Sequence, residues 1–240
     1  MAADRFAHIT TWVFDLDNTL YPAECHLFHQ IDARMTAFIE ETLSLSHADA
    51  RKVQKDYYAR YGTTLSGLMK EHHIPPKAFM DYVHDIDLAV IKADPALGEA
   101  IKTLPGRRVI YTNGSQTHAE NVAGKLGILD LFDAIFDVEM AGFTPKPHRP
   151  AYEAFWAHLD IDPRSAAMFE DMPQNLEVPF HEGMETVLVQ SEAQWFDDEP
   201  EGKRPARPGE KYPHVKHVTS DLTQFLLGLT RAPQSASVSL

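Results

Sequence analysis

The chain has 240 residues, of which 44% are hydrophobic, so it can bury a core of one domain or of one domain with a large insertion. Its formal net charge of −13 argues against a general binder of nucleic-acid polymers and against binding to anionic membranes. This charge does not exclude an anionic small molecule, because a metal ion and a few donors can reverse the field inside one cleft.

The cysteine usage and the N-terminal residues bear on the cellular compartment. Cys25 is the only cysteine, so no disulfide can form within the chain, which is typical of a reducing compartment. The first residues include the acidic Asp4 and no long apolar stretch, unlike a secretory signal, and no run of about 18 apolar residues occurs in the sequence. We therefore expect a cytoplasmic protein with no membrane partner.

The first half of the chain changes character soon after its first predicted element. The segment from Ile9 to Phe14 is short, β-branched and aromatic, which predicts a strand that is buried on both faces. From His26 to Asp94 the pattern is that of successive amphipathic helices. Residues 46–49 form a capping box that opens one of these helices, and Pro75-Pro76 begins another.

Strands and helices alternate in the second half. The predicted strands are Arg107 to Tyr111, Ala134 to Val138, Ala166 to Phe169 and Thr186 to Val189, and the predicted helices are Ser115 to Gly127 and Pro150 to Leu159. Such alternation favours a parallel sheet with helices on both faces. The expected fold class is therefore α/β, with a Rossmann-like, doubly wound sheet.

The helical block interrupts this alternation, which indicates an insertion after the first strand. We predict an α/β core formed by residues 1–21 and 96–230, and a helical cap formed by residues 22–95. The segment from Glu192 to Pro213 is rich in Pro, Gly and charged residues and is predicted to be a long surface loop. Residues 231–240 are predicted to form a flexible tail.

Polar residues follow four of the predicted strands. They are Asp15, Asp17 and Thr19 after the first strand, Thr112, Asn113 and Gly114 after the second, Lys146 beyond the third, and Glu170 and Asp171 after the fourth. In an open parallel sheet the ligand binds beyond the carboxyl ends of the strands. We therefore expect these four clusters, which are far apart in sequence, to converge at one edge of the sheet.

The four clusters together have the groups that phosphoryl transfer needs. Asp15 is the candidate nucleophile, which would form an aspartyl phosphate, and Asp17 is the candidate general acid and base for the leaving oxygen and the hydrolytic water. The predicted phosphate ligands are Thr112, Asn113 and Lys146. Each cluster alone is more simply explained as a turn, a helix cap, a solvated lysine or a polar loop. Their joint occurrence at strand ends predicts a phosphatase.

Two carboxylates and a phosphate cannot share a site without cations. Asp15 and Asp171 offer the hard oxygen ligands that Mg²⁺ prefers. The predicted metal site consists of Asp15, Asp17 and Asp171, and the expected cofactor is Mg²⁺.

The same residues carry a resemblance to a known family. The segments FDLDNTLY (14–21), YTNGS (111–115), TPKPHRPAY (144–152) and FEDMPQN (169–175) resemble the four motifs of the haloacid dehalogenase superfamily. The resemblance implies a Rossmann-like core with an inserted helical cap of the first type. It also implies that Asp15 is the nucleophile, Asp17 the acid and base, and Asp171 a metal ligand.

A narrower resemblance concerns the substrate. The segments LYPAECHLFHQID (20–32), YYARYGTTLSGLM (57–69) and YVHDID (82–87) resemble the pyrimidine 5′-nucleotidase branch. This implies a nucleoside 5′-monophosphate as the ligand, with UMP and CMP hydrolysed to nucleoside and phosphate. Within the cap, Tyr57, Tyr58 and Tyr61 can stack on a base or simply belong to the apolar core, and we expect Tyr61 and His84 to influence the nucleotide preference.

Three other functions remain open. A phosphatase of another small metabolite, such as a sugar phosphate or phosphoglycolate, would use the same residues. A haloacid dehalogenase shares the fold and the nucleophile, but the family's dehalogenases lack the second aspartate, which is Asp17 here. A non-enzymatic phospho-acceptor domain also combines Asp, Thr, Lys and Mg²⁺, yet the large cap argues against it because a receiver needs an open face for its partner.

Overall fold

The computed structural model describes residues 5–193, 199–200 and 202–230. Within them, six parallel strands form one sheet with the order β3-β2-β1-β4-β5-β6. The strands are β1 (Thr11–Phe14), β2 (Arg107–Tyr111), β3 (Ala134–Phe136), β4 (Ala166–Glu170), β5 (Glu185–Val189) and β6 (His217–Thr219). This order is that of a doubly wound sheet, so the predicted fold class is confirmed.

Helices fill the sequence between β1 and β2. They are α1 (Leu27–Leu43), α2 (His47–Tyr61), α3 (Thr64–His72), α4 (Pro76–Val83) and α5 (Pro95–Lys102), with 3₁₀ turns at Ala23–Cys25 and Leu88–Val90. The Ser46 side chain accepts a hydrogen bond from the Asp49 amide at the start of α2, as its capping box predicts. Gly62 ends this helix at φ 85°, a conformation that suits glycine.

Four further helices among the described residues lie after β2. They are α6 (Gln116–Leu126), α7 (Arg149–Leu159), α8 (Glu177–His181) and α9 (Leu222–Thr230), with 3₁₀ turns at Leu129–Leu131, Pro163–Ser165 and Pro173–Leu176. The Ser115 side chain caps α6 by accepting from the His118 amide. No helix among the described residues is long and apolar enough to cross a lipid bilayer.

The side chains of β1 alternate between two apolar layers, because successive residues of a strand point to opposite faces. Trp12 and Phe14 belong to the layer on one face of the sheet, and Val13 belongs to the layer on the other. All four residues of β1 are buried, as expected for a central parallel strand. A third apolar cluster lies within the helical block and includes Phe79 of α4. The residue boundaries of the core and the cap stay a prediction.

Several details differ from the sequence-based expectation. Strand β1 begins at Thr11 and not at Ile9, and β3 ends at Phe136 and not at Val138. Strand β6 was not predicted, because its three residues at the edge of the sheet form no apolar run.

The predicted loop and tail are only partly described. Of the loop from Glu192 to Pro213, residues 194–198 and 201 lie outside the described residues, as does the predicted tail, residues 231–240. The described part of the loop has no helix or strand. It is not entirely on the surface, since Ala206 packs in one of the apolar layers.

Candidate active site

The predicted site residues lie together at the topological switch point of the sheet. Strands β1 and β4 are neighbours, and the strand order reverses between them, which is where doubly wound sheets bind their ligands. One cavity lies at this point, and all the predicted site residues line it: Asp15, Asp17, Thr112, Asn113, Lys146 and Asp171. The structure therefore brings together side chains that are up to 156 positions apart, from Asp15 to Asp171.

Lys146 is a buried cation at the base of this cavity, with 2% of its surface exposed. Its Nζ donates hydrogen bonds to Asp15 Oδ1 at 2.7 Å, to Glu170 Oε1 at 2.7 Å and to the Tyr111 carbonyl at 2.9 Å. Burial lowers the pKa of Lys146, but the two carboxylates outweigh burial and raise it above its usual value. The lysine is therefore charged.

Two polar side chains fix this lysine. The Asn113 side chain donates to the Lys146 carbonyl at 3.1 Å and accepts from the Lys146 amide at 2.8 Å. Glu170 is fully buried and also accepts from Asn175 Nδ2 at 2.6 Å and from the Met172 amide at 2.8 Å. Because the Asn113 side chain is engaged in this way, any phosphate contact from this residue has to come from its backbone amide.

Asp15, Glu170 and Asp171 form a buried cluster of carboxylates, in which one oxygen atom from each residue lies within 4.8 Å of those from the other two. Burial raises the pKa of Asp15 to about 7 although Lys146 opposes the shift. Burial, followed by the charges of Glu170 and Asp15, raises the pKa of Asp171 well above its usual value. Three carboxylates thus face one lysine, a set of hard oxygen donors short of positive charge, and this fits a divalent cation such as Mg²⁺.

Asp17 has a different environment, although it is only two residues from Asp15. Its Oδ1 accepts from the Tyr21 hydroxyl at 2.6 Å and from His118 Nε2 at 2.9 Å. Burial raises the pKa of Asp17, but the charge and hydrogen bond of His118 help to bring it below its usual value. The Asp17 side chain is not in the carboxylate cluster, and its role as a metal ligand stays a prediction.

The turn after β2 supplies neutral donors. Thr112 is 1% exposed, and its Oγ1 accepts from the Gly114 amide at 2.9 Å, which leaves the hydroxyl hydrogen available to donate. Within the described part of the chain, the backbone amides of Asp17 and Asn113 donate to no protein acceptor. These groups at the mouth of a buried cavity are suited to bind the oxygens of an anion.

The helical block supplies the opposite wall of the cavity. Its apolar lining residues are Phe28, Ile31, Met35, Leu65, Phe79, Met80 and Val83, and its polar ones include Asp32, Gln54, Lys55, Tyr58 and His84. Of the three tyrosines considered from the sequence, Tyr58 lines the cavity and Tyr57 packs in the apolar cluster of the helical block. Tyr61 does not line the cavity, and its hydroxyl donates to Glu71 instead.

Sequence reasoning missed His118, Tyr21 and the bracing role of Glu170. Tyr21 and Glu170 lie inside the quoted motifs, so their proximity to the site could have been inferred. His118 lies in the first turn of α6, three residues after the cap at Ser115, and this position is the one signal that the sequence offered.

The comparisons with known proteins show the family of the chain. The model of the haloacid dehalogenase-like hydrolases matches residues 9–178. The chain belongs to this family. Phosphate metabolism protein 8 of Saccharomyces cerevisiae is 28% identical over 132 residues, which are 51% of this chain and 41% of that protein. The match therefore spans less than half the length of that relative.

Solved structures of the haloacid dehalogenase-like fold cover nearly the whole chain. CbbY from Rhodobacter sphaeroides, in complex with phosphate, has a TM-score of 0.58 and 16% identity over 92% of this chain and 99% of its own. The L-2-haloacid dehalogenase from Xanthobacter autotrophicus, with chloropropionic acid covalently bound, has a TM-score of 0.53 and 16% identity over 91% and 97%. Likeness at these identities shows the shared fold, and the reaction has to be argued from the site.

Proposed function

We propose that this protein is a Mg²⁺-dependent phosphomonoester hydrolase that forms an aspartyl phosphate on Asp15. One observation supports the proposal: the carboxylates of Asp15 and Asp17, on the same turn, have different hydrogen-bond partners. Asp15 lies against the buried Lys146, as a nucleophile next to an anionic substrate requires. Asp17 is held through Oδ1 by Tyr21 and His118, and its Oδ2 accepts no hydrogen bond from any described residue. This second oxygen is available for proton transfer.

The protein groups perform the reaction in two steps. In the first step an Asp15 oxygen attacks phosphorus, the bond to the leaving oxygen breaks, and protonated Asp17 donates its proton to that oxygen. In the second step water attacks the phosphorus, Asp17 accepts the proton, and inorganic phosphate leaves as the Asp15 carboxylate is restored. The bound monoester brings negative charge next to Asp17, which raises its pKa and favours the protonated form.

Asp15 and Asp171 are the side chains that would hold Mg²⁺. When bound, the ion supplies the positive charge that this carboxylate cluster lacks and stabilises the phosphoryl oxygens. Lys146, the Thr112 hydroxyl and the Asn113 amide hold the same oxygens from the protein side. A phosphoryl transition state needs chiefly positioning and charge compensation, and these groups provide both.

The anchored Asp17 favours phosphate esters over haloacids as substrates. A halide leaves without a proton, whereas an alkoxide is a poor leaving group until it is protonated. A dehalogenase would therefore not need a carboxylate that Tyr21 and His118 hold beside the nucleophile. Detection of released chloride from 2-chloropropionate would contradict this preference.

We further propose that the substrate is a pyrimidine nucleoside 5′-monophosphate, on the resemblance of the cap segments and on the lining of the cavity. The wall supplied by the helical block joins an apolar surface, which includes Phe28 and Met35, to polar groups such as Gln54 and Tyr58. An apolar surface suits the face of a base, and polar side chains suit its edge. A pocket with buried polar groups can reject ligands that leave those groups unpaired.

A panel of phosphate monoesters assayed with Mg²⁺ tests both levels of the proposal. The panel contains UMP, CMP, AMP, GMP, a sugar phosphate and phosphoglycolate, and ranks them by kcat/KM. We expect the pyrimidine nucleotides to rank first. If a sugar phosphate or phosphoglycolate outranks every nucleotide, the nucleotidase assignment fails and the phosphatase chemistry stands. If no monoester is hydrolysed, the phosphatase assignment fails as well.

A further inference from the structure

We infer that His118 is a positioning residue that fixes the carboxylate of Asp17, so that Oδ2 is presented to the leaving oxygen of the substrate. The inference rests on the proposed phosphatase function, and it names a residue that the four sequence motifs do not contain. It starts from the way in which Asp17 is held.

Both protein donors to Asp17 reach the same oxygen atom. His118 Nε2 lies 2.9 Å from Oδ1, and the Tyr21 hydroxyl lies 2.6 Å from it. Rotation about the Cβ–Cγ bond of an aspartate is broad, so a carboxylate that is free in a cavity can exchange its two oxygens. Two donors on Oδ1 oppose this rotation and keep Oδ2 as the oxygen that meets the substrate.

The His118 ring is itself held rigidly. The residue is 2% exposed, and its backbone amide donates to Ser115 Oγ at 3.3 Å in the first turn of α6. The His84 ring lies flat against it, with a centroid distance of 4.3 Å and an interplanar angle of 9°. His84 Nδ1 is in turn 3.0 Å from Ser115 Oγ. One serine therefore contacts both stacked residues.

Gly114 leaves room for this arrangement. A Cβ atom at this position would lie 3.2 Å from His118 Cδ2 and 3.2 Å from Thr112 Oγ1, so an alanine would crowd the His118 ring, whereas His84 Nε2 at 3.7 Å would be in ordinary contact. His84 ends α4 in the helical block, whereas His118 and Gly114 belong to the segment that follows β2. The support for the acid and base thus comes from two segments that are separate in sequence.

The reactivity of the leaving group separates a positioning role from a merely structural one. The nucleoside of a nucleotide substrate leaves as a basic alkoxide and needs a proton from Asp17, whereas 2,4-dinitrophenolate leaves without one. The ratio kcat/KM reports the steps up to the first irreversible one, which here is the transfer of the phosphoryl group to Asp15. The later hydrolysis of the aspartyl phosphate therefore does not enter the comparison.

The test compares His118→Asn with His118→Gln on two substrates. The substrates are the alkyl monoester that ranks first in the panel and 2,4-dinitrophenyl phosphate. The asparagine amide is too short to reach Asp17, whereas the glutamine amide can place its nitrogen near the position of Nε2. His181→Gln, on the exposed surface of α8, serves as the control for the loss of a histidine.

We expect His118→Asn to lower kcat/KM for the alkyl monoester about 10- to 100-fold, a part of the 10²–10⁴-fold that general acid catalysis supplies. The loss on 2,4-dinitrophenyl phosphate should stay below about threefold, and His118→Gln should recover most of the alkyl activity. Tyr21→Phe, which removes the other donor to Oδ1, should show the same dependence on the leaving group. It provides a second test if the histidine variants do not fold.

Equal losses on both substrates, or a glutamine variant no better than the asparagine one, would overturn the inference. The phosphatase assignment would then still stand, because the wild-type protein hydrolyses the esters. If the wild-type protein hydrolyses neither ester, it is the proposed function that fails, so the two failures are distinguishable.

Discussion

The two walls of the cavity differ in the charge of their side chains and in where those residues lie in the sequence. The wall at the strand ends consists of charged groups that contact one another, such as Lys146 between Asp15 and Glu170, and its residues come from distant parts of the chain. The wall from the helical block, termed the apolar wall, comes from one continuous segment and joins an apolar surface to polar side chains. Some of these polar side chains bind each other, as in the hydrogen bond from Gln54 to Asp32 at 2.7 Å.

On the proposed function, this contrast assigns chemistry and selectivity to separate parts of the molecule. The groups of the charged wall would contact the phosphate, the metal ion and the leaving oxygen, which all monoesters share. The apolar wall reaches the support of Asp17 through His84, whose ring stacks on that of His118. Changes in the first wall should therefore affect all substrates, and changes in the second should affect some of them.

The largest effect is expected for Asp15→Asn, because an amide cannot act as an anionic nucleophile. We expect kcat to fall about 10⁴-fold or more on every monoester, on the scale seen when a covalent catalyst loses its nucleophile. The measurement is a steady-state assay with UMP and with 2,4-dinitrophenyl phosphate, in a preparation free of host phosphatases. Asp130→Asn, at an exposed position, is the matched control and should keep its activity.

Substantial turnover by Asp15→Asn would contradict the covalent mechanism. A rapidly quenched sample gives an independent check, because Asp15 should carry the phosphoryl group in it. A single turnover in H₂¹⁸O should place the label in the released phosphate and not in Asp15, since water attacks phosphorus in the second step.

A smaller effect, on metal affinity, is expected for Asp171→Asn. The change removes one negative charge from the carboxylate cluster, so the Mg²⁺ concentration for half-maximal activity should rise by more than about tenfold, the lower end of what even outer-shell partners of a metal contribute. The measurement is a titration of activity with Mg²⁺ after exhaustive chelation. Rates that survive chelation undiminished would contradict a metal site at this cluster.

The charged wall could be predicted from the sequence because most of its residues closely follow strands, although Lys146 lies farther along the chain after β3. The carboxyl ends of parallel strands meet at one edge, so finding the strands was enough to bring Asp15, Thr112 and Asp171 together. Errors of a few residues in the strand limits, such as the late start of β1 at Thr11, did not matter, since the sheet order fixes which ends are neighbours.

The apolar wall and the support of Asp17 could not be predicted in the same way. Which face of α2 turns to the cavity depends on how the helices pack, and neighbouring tyrosines therefore differ: Tyr58 lines the cavity and Tyr61 does not. His118 reaches Asp17 across 101 positions of sequence, and no periodic pattern encodes such a contact. Strand β6 was missed for a related reason, since three residues of mixed polarity give no period to detect.

The selectivity of the apolar wall is tested by Phe28→Ala. If this ring stacks on the base, its loss should lower kcat/KM for UMP about 10- to 100-fold, since stacking of an aromatic side chain on a base contributes about 1–3 kcal/mol. The value for 2,4-dinitrophenyl phosphate should change less than about threefold. Tyr61 does not line the cavity, so, contrary to the expectation from the sequence, Tyr61→Phe should leave both values unchanged. Equal losses on the two substrates would indicate that the apolar wall supports the whole site and not the choice of substrate.

The smallest effects concern stability, and two glycines in helices allow a matched comparison of the two regions. A Cβ at Gly124 of α6 would meet nothing within 4 Å, so Gly124→Ala should stabilise the fold by about 0.5–1 kcal/mol through helix propensity alone. A Cβ at Gly67 of α3 would lie 2.4 Å from Tyr57 Cβ. The clash should outweigh the same gain, so that Gly67→Ala destabilises by about 1–3 kcal/mol.

Urea unfolding of the two alanine variants measures these changes, with activity on 2,4-dinitrophenyl phosphate as the second readout. Tyr57 belongs to the apolar cluster of the helical block, so the strain from Gly67→Ala should be confined to that block. Activity on the aryl ester at low denaturant should then persist in Gly67→Ala while its hydrolysis of UMP declines. If the two activities decline together, the helical block and the strand-end wall do not act as separate parts, and the contrast between chemistry and selectivity would have to be abandoned.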